Sequence, residues 1–352
     1  MKERYVLIHT HGIADVDYST MTPSSLERVD GAAKAHGVDV VPAAFLAPEL
    51  VGSFSEVLDA WSDQRESLSN IVGFSIEGPL LGTSGGVPPR GIWSPSPDQW
   101  EQIARLGPQG LAYIVMAPDG GDLDDRFGDV TYRDIIDLFY SNGVRIALGH
   151  FRHNDPELSA ARTAAMIDYV QAQYGPDQGI VLTDHLFNDM PRRFRHAWRT
   201  REEQTRRARE IAEFLSTDWS TVDLREFLGD VPAVLIEAAI DGRCLPFLNF
   251  DGDHVDAQVC VATLNHVGTG NLIGITDDTP LDELAGEALS HQEGGGLWYR
   301  SDGIVAAGTG NLSTQLKNLR LAGRSDGEID DLFGRNPRRA LSPLSQFSAA
   351  LV

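Results

Sequence analysis

The sequence predicts a (β/α)8 barrel of the TIM type. Three observations carry that expectation: eight short apolar runs, helix-like segments between them, and 352 residues with 42% hydrophobic content, ample for one large core. Strands alternating with helices form a parallel sheet, and eight such units in this length favour closure over an open doubly wound sheet. No low-complexity linker divides the chain, so one domain over residues 1–352 is expected.

Tyr5–Ile8 is the first run, followed by a segment that Thr22-Pro23 opens and Gly37 stops. Thr before Pro is a good helix start and Gly a good stop. Val38–Phe45, Ile71–Ile76, Leu111–Met116, Val144–Leu148, Gly179–Leu182, Leu245–Phe250 and Leu272–Ile275 complete the eight runs. Pro97–Leu106, Tyr132–Tyr140, Pro156–Tyr174, Arg201–Leu215 and Leu224–Ile240 carry apolar residues three and four apart, the period of a helix with one buried face. From about Gly294 the chain runs through a triple glycine into Leu312–Leu321 and Ile329–Leu341, and this remainder is expected to form closing helices.

Composition removes several function classes. Lys plus Arg number 29 against 51 Asp plus Glu, a formal net charge of −22, and such a surface repels nucleic-acid phosphates. Cys244 and Cys260 are too few for a disulfide framework and form no CxxC pair, so both read as reduced core thiols. No stretch approaches the roughly 18 uninterrupted apolar residues of a membrane span, and the start lacks a signal-peptide h-region, so a soluble cytoplasmic protein is expected.

The residues that suggest chemistry end the apolar runs. His9 and His11 sit two apart at the first, where i and i+2 project from one face of a strand. An isolated HxH reads more readily as a pair of surface or core histidines than as ligands, and a lone Glu77, in GFSIEGP, as a solvated loop carboxylate. Company changes that reading: His150 follows the fifth run in LGH, His185 the sixth in TDHLFN, and Asp277 the eighth in GITDD. At the carboxyl ends of barrel strands all five runs would converge on one mouth. Imidazole and carboxylate suit zinc or ferrous iron, and an ion with an open coordination position makes water acidic near neutrality. A free carboxylate such as Asp277 can take the water's proton and return it to an amine leaving group, which is amide hydrolysis in outline.

The phrases HTHG, GFSIEGPLL, LGH, DHLFNDM, FDGDHVD and GITDD, in this order, with APD, AAGTGNLS and NPRRAL, resemble the N-acetylglucosamine-6-phosphate deacetylases of the amidohydrolase superfamily over nearly the whole chain. The resemblance implies that Glu77, His150 and His185 bind the main divalent metal and that Asp277 is the general acid/base. It implies a second ion for members that keep both first-strand histidines, here His9 and His11, with Glu77 bridging. It gives His254 a role in polarising the scissile carbonyl, places Asn188 and Gly308 at the substrate, and is the sole basis for expecting a homodimer.

The chain also departs from that pattern. HTHG begins at residue 9 and the sequence stops soon after NPRRAL, so the small β-sandwich that relatives wrap around the barrel is expected to be missing. Trp93 stands where relatives place a substrate-contacting His, and Asp189 adds a carboxylate near their phosphate region, where it would repel a dianion. Against this, Arg192, Arg193, Arg195, Arg199 and Arg201 form a basic cluster suited to anions, or equally to pairing with Glu202 and Glu203. Removal of an N-acyl group, acetyl first, from an amino sugar or related small amine is the leading function. Removal of a carbamoyl or formyl group, and a non-catalytic ligand-binding relic of the barrel, are the competing ones.

Overall fold

The computed structural model describes residues 4–176, 179–193, 212, 217–310 and 312–344. Eight parallel strands follow one another in chain order around a nearly closed barrel: β1 Tyr5–Thr10, β2 Val38–Ala44, β3 Phe74–Glu77, β4 Leu111–Met116, β5 Arg145–Leu148, β6 Val181–Thr183, β7 Leu245–Asn249 and β8 Ile273–Ile275. Each lies on one of the predicted apolar runs. Parallel strands of a barrel are covered on both faces, which is why they read as unbroken apolar runs rather than as alternation.

Val6, Ile8, Val41, Tyr113, Val115, Leu182, Phe247 and Ile275 pack as one buried cluster from the strands. A larger cluster seals the strands to the helices, with Leu26, Val29, Trp61, Trp100, Ile136 and Phe139 among its members. The helices α1 Leu26–His36, α2 Val51–Gln64, α3 Pro97–Ala104, α4 Tyr132–Ser141 and α5 Pro156–Tyr174 follow β1 to β5 in turn. Gly37 ends α1 at φ 69°, the left-handed stop that glycine adopts without a Cβ penalty.

Between the first and last strands the ring closes at the carboxyl end alone. There Asp277 N–H donates to His9 O and His11 N–H donates to Asp278 O, both at 2.9 Å. Farther down, Phe333 wedges beside β8, where a Cβ on Gly274 would strike its ring.

Two expectations need correction. Leu224–Ile240 is not one helix: Gly229, at φ 108°, separates Leu224–Leu228 from Asp230–Ile240. Nor is the chain from Gly294 purely helical. Ser290–His291, Leu297–Tyr299 and Val305–Gly308 form a three-stranded antiparallel sheet before Leu312–Leu321, and the closing helices begin only there. Strands of two to four residues are too short to show a period. The Arg201–Leu215 helix and Arg195, Arg199 and Arg201 lie outside the described residues. Cys244 and Cys260 are both buried. Among the described residues no helix is long and apolar enough to cross a membrane.

Candidate metal centre

The strand ends bring His9, His11, Glu77, His150, His185 and Asp277 together, all of them buried. Local backbone explains how. In β1 the pairing with β2 slips between Leu7 and Thr10, β1 carrying one residue more, and such a bulge re-aims side chains beside a site. His9 then lies over the inner cluster, its ring centroid 6.2 Å from that of Phe247. His150 and Asp277 adopt φ of 53° and 47°, a conformation that costs a non-glycine residue energy and is found where side chains must be aimed.

Glu77 lies at the centre and presents one oxygen to each side. Its Oε2 is 3.4 Å from His9 Nε2 and 3.3 Å from His11 Nε2, while Oε1 is 2.5 Å from His150 Nε2 and 3.6 Å from His185 Nε2. Asp277 Oδ1 adds a contact of 3.2 Å to His11 Nε2 on the first side. Donor atoms of His9, His11 and Asp277 fall within 4.8 Å of one another, and so do those of His9, Glu77, Asp184 and His185. These are two overlapping nests of imidazole and carboxylate, the donor set that holds a divalent ion.

The groups behind these rings fix their orientation. His11 Nδ1 is 3.2 Å from Ala43 O, which leaves Nε2 turned toward Glu77. Asp189 Oδ2 stands 2.8 Å from His150 Nδ1, and Asp189 also accepts from Thr83 Oγ1. Asp189 therefore backs the His150 ring as well as lining the cavity. Two carboxylates beside the expected residues, Asp184 and Asp251, were not anticipated. Asp251 Oδ2 lies 2.6 Å from His254 Nδ1 and orients that ring so that its Nε2 faces Asp277 Oδ2 at 3.4 Å. The phrases TDHLF and DGDH contain both aspartates, but only burial and direction distinguish them from loop carboxylates.

Charge within the centre is strongly coupled. Burial opposes ionisation of Asp277, yet His254, His11, His185 and His9 outweigh it and hold the carboxyl at about 2. Burial likewise opposes the charged form of His9, and Asp184, Glu77 and Asp277 raise it to about 9. Glu77 is held well below the ordinary carboxylate range, with His150, His185 and His9 overcoming its burial. Buried polar atoms nevertheless lack hydrogen-bond partners here, among them His9 Nε2, Glu77 Oε2 and both oxygens of Asp184. Orphans of this kind facing one gap fit a bound divalent ion.

A cavity of about 400 Å³ opens over the centre, lined by Glu77, His150, His185, Asp277 and His254 together with Asn188 and Asp189. Thr83 to Gly86 and Ile304 to Ala306 form the rest of its described wall, with His153. Gly308 borders His254 and donates its N–H to Asp277 O at 2.7 Å. Trp93 is not brought to this cavity: its indole N–H donates to Leu46 O at 2.8 Å and its ring packs on the core. Arg192 donates to Phe187 O and Met190 O, and no Lys or Arg is among the described residues of the wall.

No family model and no curated protein sequence matches the chain. Solved structures do. N-acetyl-D-glucosamine-6-phosphate deacetylase from Mycobacterium smegmatis superposes with a TM-score of 0.68 at 21% identity, over 96% of this chain and 78% of that one. The same enzyme in complex with N-acetyl-D-glucosamine-6-phosphate gives 0.67 at 20% identity, over 96% and 77%. The Thermotoga maritima deacetylase gives 0.68 at 15% identity, over 97% and 78%. At these identities the likeness is one of fold, and the fold shared is the barrel of the N-acetylglucosamine-6-phosphate deacetylases.

Proposed function

We propose that the chain is a metal-dependent amide hydrolase that removes an N-acyl group, acetyl first, from a small amine such as an amino sugar. The observation that carries this reading is Glu77, whose two oxygens face two sets of histidines while Asp277 stands beside them, one oxygen toward His11 and the other toward His254. Glu77, His150 and His185 would hold one ion, and His9 and His11, with Glu77 shared, a second. A divalent ion bound there supplies Lewis acidity, which polarises the amide carbonyl and makes water a nucleophile near neutrality.

The chain's own residues supply the remaining steps. Asp277, ionised at neutral pH because its carboxyl is held at about 2, accepts the proton of the attacking water through an oxygen and delivers it to the departing amine nitrogen. His254, its Nδ1 side held by Asp251, turns Nε2 toward Asp277 and the cavity, where it can donate to the carbonyl oxygen as charge develops. Asn188 offers an amide to the body of the substrate. Among the described residues the wall has no Lys or Arg, and Asp189 adds a carboxylate there, which supports an unphosphorylated N-acyl amine over its 6-phosphate.

Acetate release from N-acetylglucosamine and from its 6-phosphate, with protein of known metal content, tests the reading. Release from either establishes the amide hydrolase, and their ratio tests the absence of a phosphate subsite. No release from either, with metal bound, removes the acetyl assignment; formate or ammonia from formyl or carbamoyl analogues would then identify the acyl group.

A further inference from the structure

We propose that Asp184 is itself a metal ligand, placed to span both ion positions opposite Glu77. The inference rests on the metal-centre reading above and deepens it. Asp184 directly follows β6 and is 0% exposed. Its backbone N–H donates to Leu148 O at 2.9 Å, which fixes the point from which the side chain starts. Neither carboxylate oxygen has a hydrogen-bond partner among the described residues. A buried carboxylate in that state is costly unless a cation compensates it, and no Lys or Arg among the described residues pairs with Asp184.

What its oxygens face are imidazole nitrogens, divided between the two proposed ion positions. Oδ1 lies 3.5 Å from His9 Nε2, while Oδ2 lies 3.2 Å from His185 Nε2 and 3.5 Å from His150 Nε2. Glu77 divides its oxygens among the same three rings, so the two carboxylates flank one gap. The sequence leaves room for this: a Cβ on Gly149 would lie 2.5 Å from the Asp184 Cβ.

The test is zinc titrated into chelator-stripped wild type and Asp184→Asn, with bound metal per chain measured by elemental analysis and affinity by competition with a chromophoric chelator. Wild type is expected to hold two ions, and the variant to lose one or to bind it at least about 10-fold more weakly. Equal stoichiometry and affinity in both chains overturn the role of Asp184 and leave the hydrolase reading standing. A wild type that saturates at one ion overturns the spanning geometry, and one that binds none overturns both the inference and the reading beneath it. Asp184→Ser, smaller than the native side chain, serves the same measurement should the asparagine variant fail to fold.

Discussion

At the scale of single residues, the proposed function separates groups that would hold metal from Asp277, which would move protons. Asp277→Asn is expected to keep the bound metal, because His9, His11 and Glu77 remain, while turnover falls by at least about 10². Elemental analysis beside steady-state kinetics checks both halves, and unchanged turnover removes Asp277 from its role. Asp189→Ala should act differently. It frees His150 Nδ1, now 2.8 Å from the carboxylate, and is expected to weaken metal binding by about 10- to 100-fold, read by chelator competition. Undiminished affinity would make Asp189 a wall residue alone. The strand-end histidines and Glu77 were legible in the sequence because each terminates an apolar run. Asp184 and Asp251 were not, because each sits within three residues of a histidine in the same phrase and nothing in a sequence tells which carboxylate is buried.

At the scale of elements, strand identity was legible and small insertions were not. All eight runs are barrel strands, since burial on both faces leaves an unbroken apolar signature, although their ends shift by a few residues. The short sheet of Ser290–His291, Leu297–Tyr299 and Val305–Gly308 carried no such signature, and it supplies part of the cavity wall through Ile304 to Ala306. Element packing is tight enough to predict from: Gly274 in β8 abuts the Phe333 ring, so Gly274→Ala is expected to cost about 1–3 kcal/mol of stability. Denaturant unfolding measures it, and a neutral substitution would mean that the Asp331–Arg335 turn yields without strain.

At the scale of the whole molecule, stability without metal should depend on pH in a defined direction. Burial opposes charge on His9 and His254, but neighbouring carboxylates hold both at about 9 in the folded chain against an ordinary 6.5. Folding therefore favours their protonated forms, and that contribution is complete below pH 6.5 and fades as pH rises through 9. The Tm of stripped protein is expected to fall across this window and that of metal-loaded protein to fall less, since bound ions replace the proton on His9; a flat Tm for the stripped protein contradicts the coupling. The seam between β1 and β8 has a consequence in time. His11 and Asp277 meet although 266 residues separate them in the chain. Because the same two hydrogen bonds complete the ring and set Asp277 against the histidines, a chain emerging from the ribosome has the materials of a barrel long before it has the proposed centre. That centre is assembled only when the eighth strand arrives.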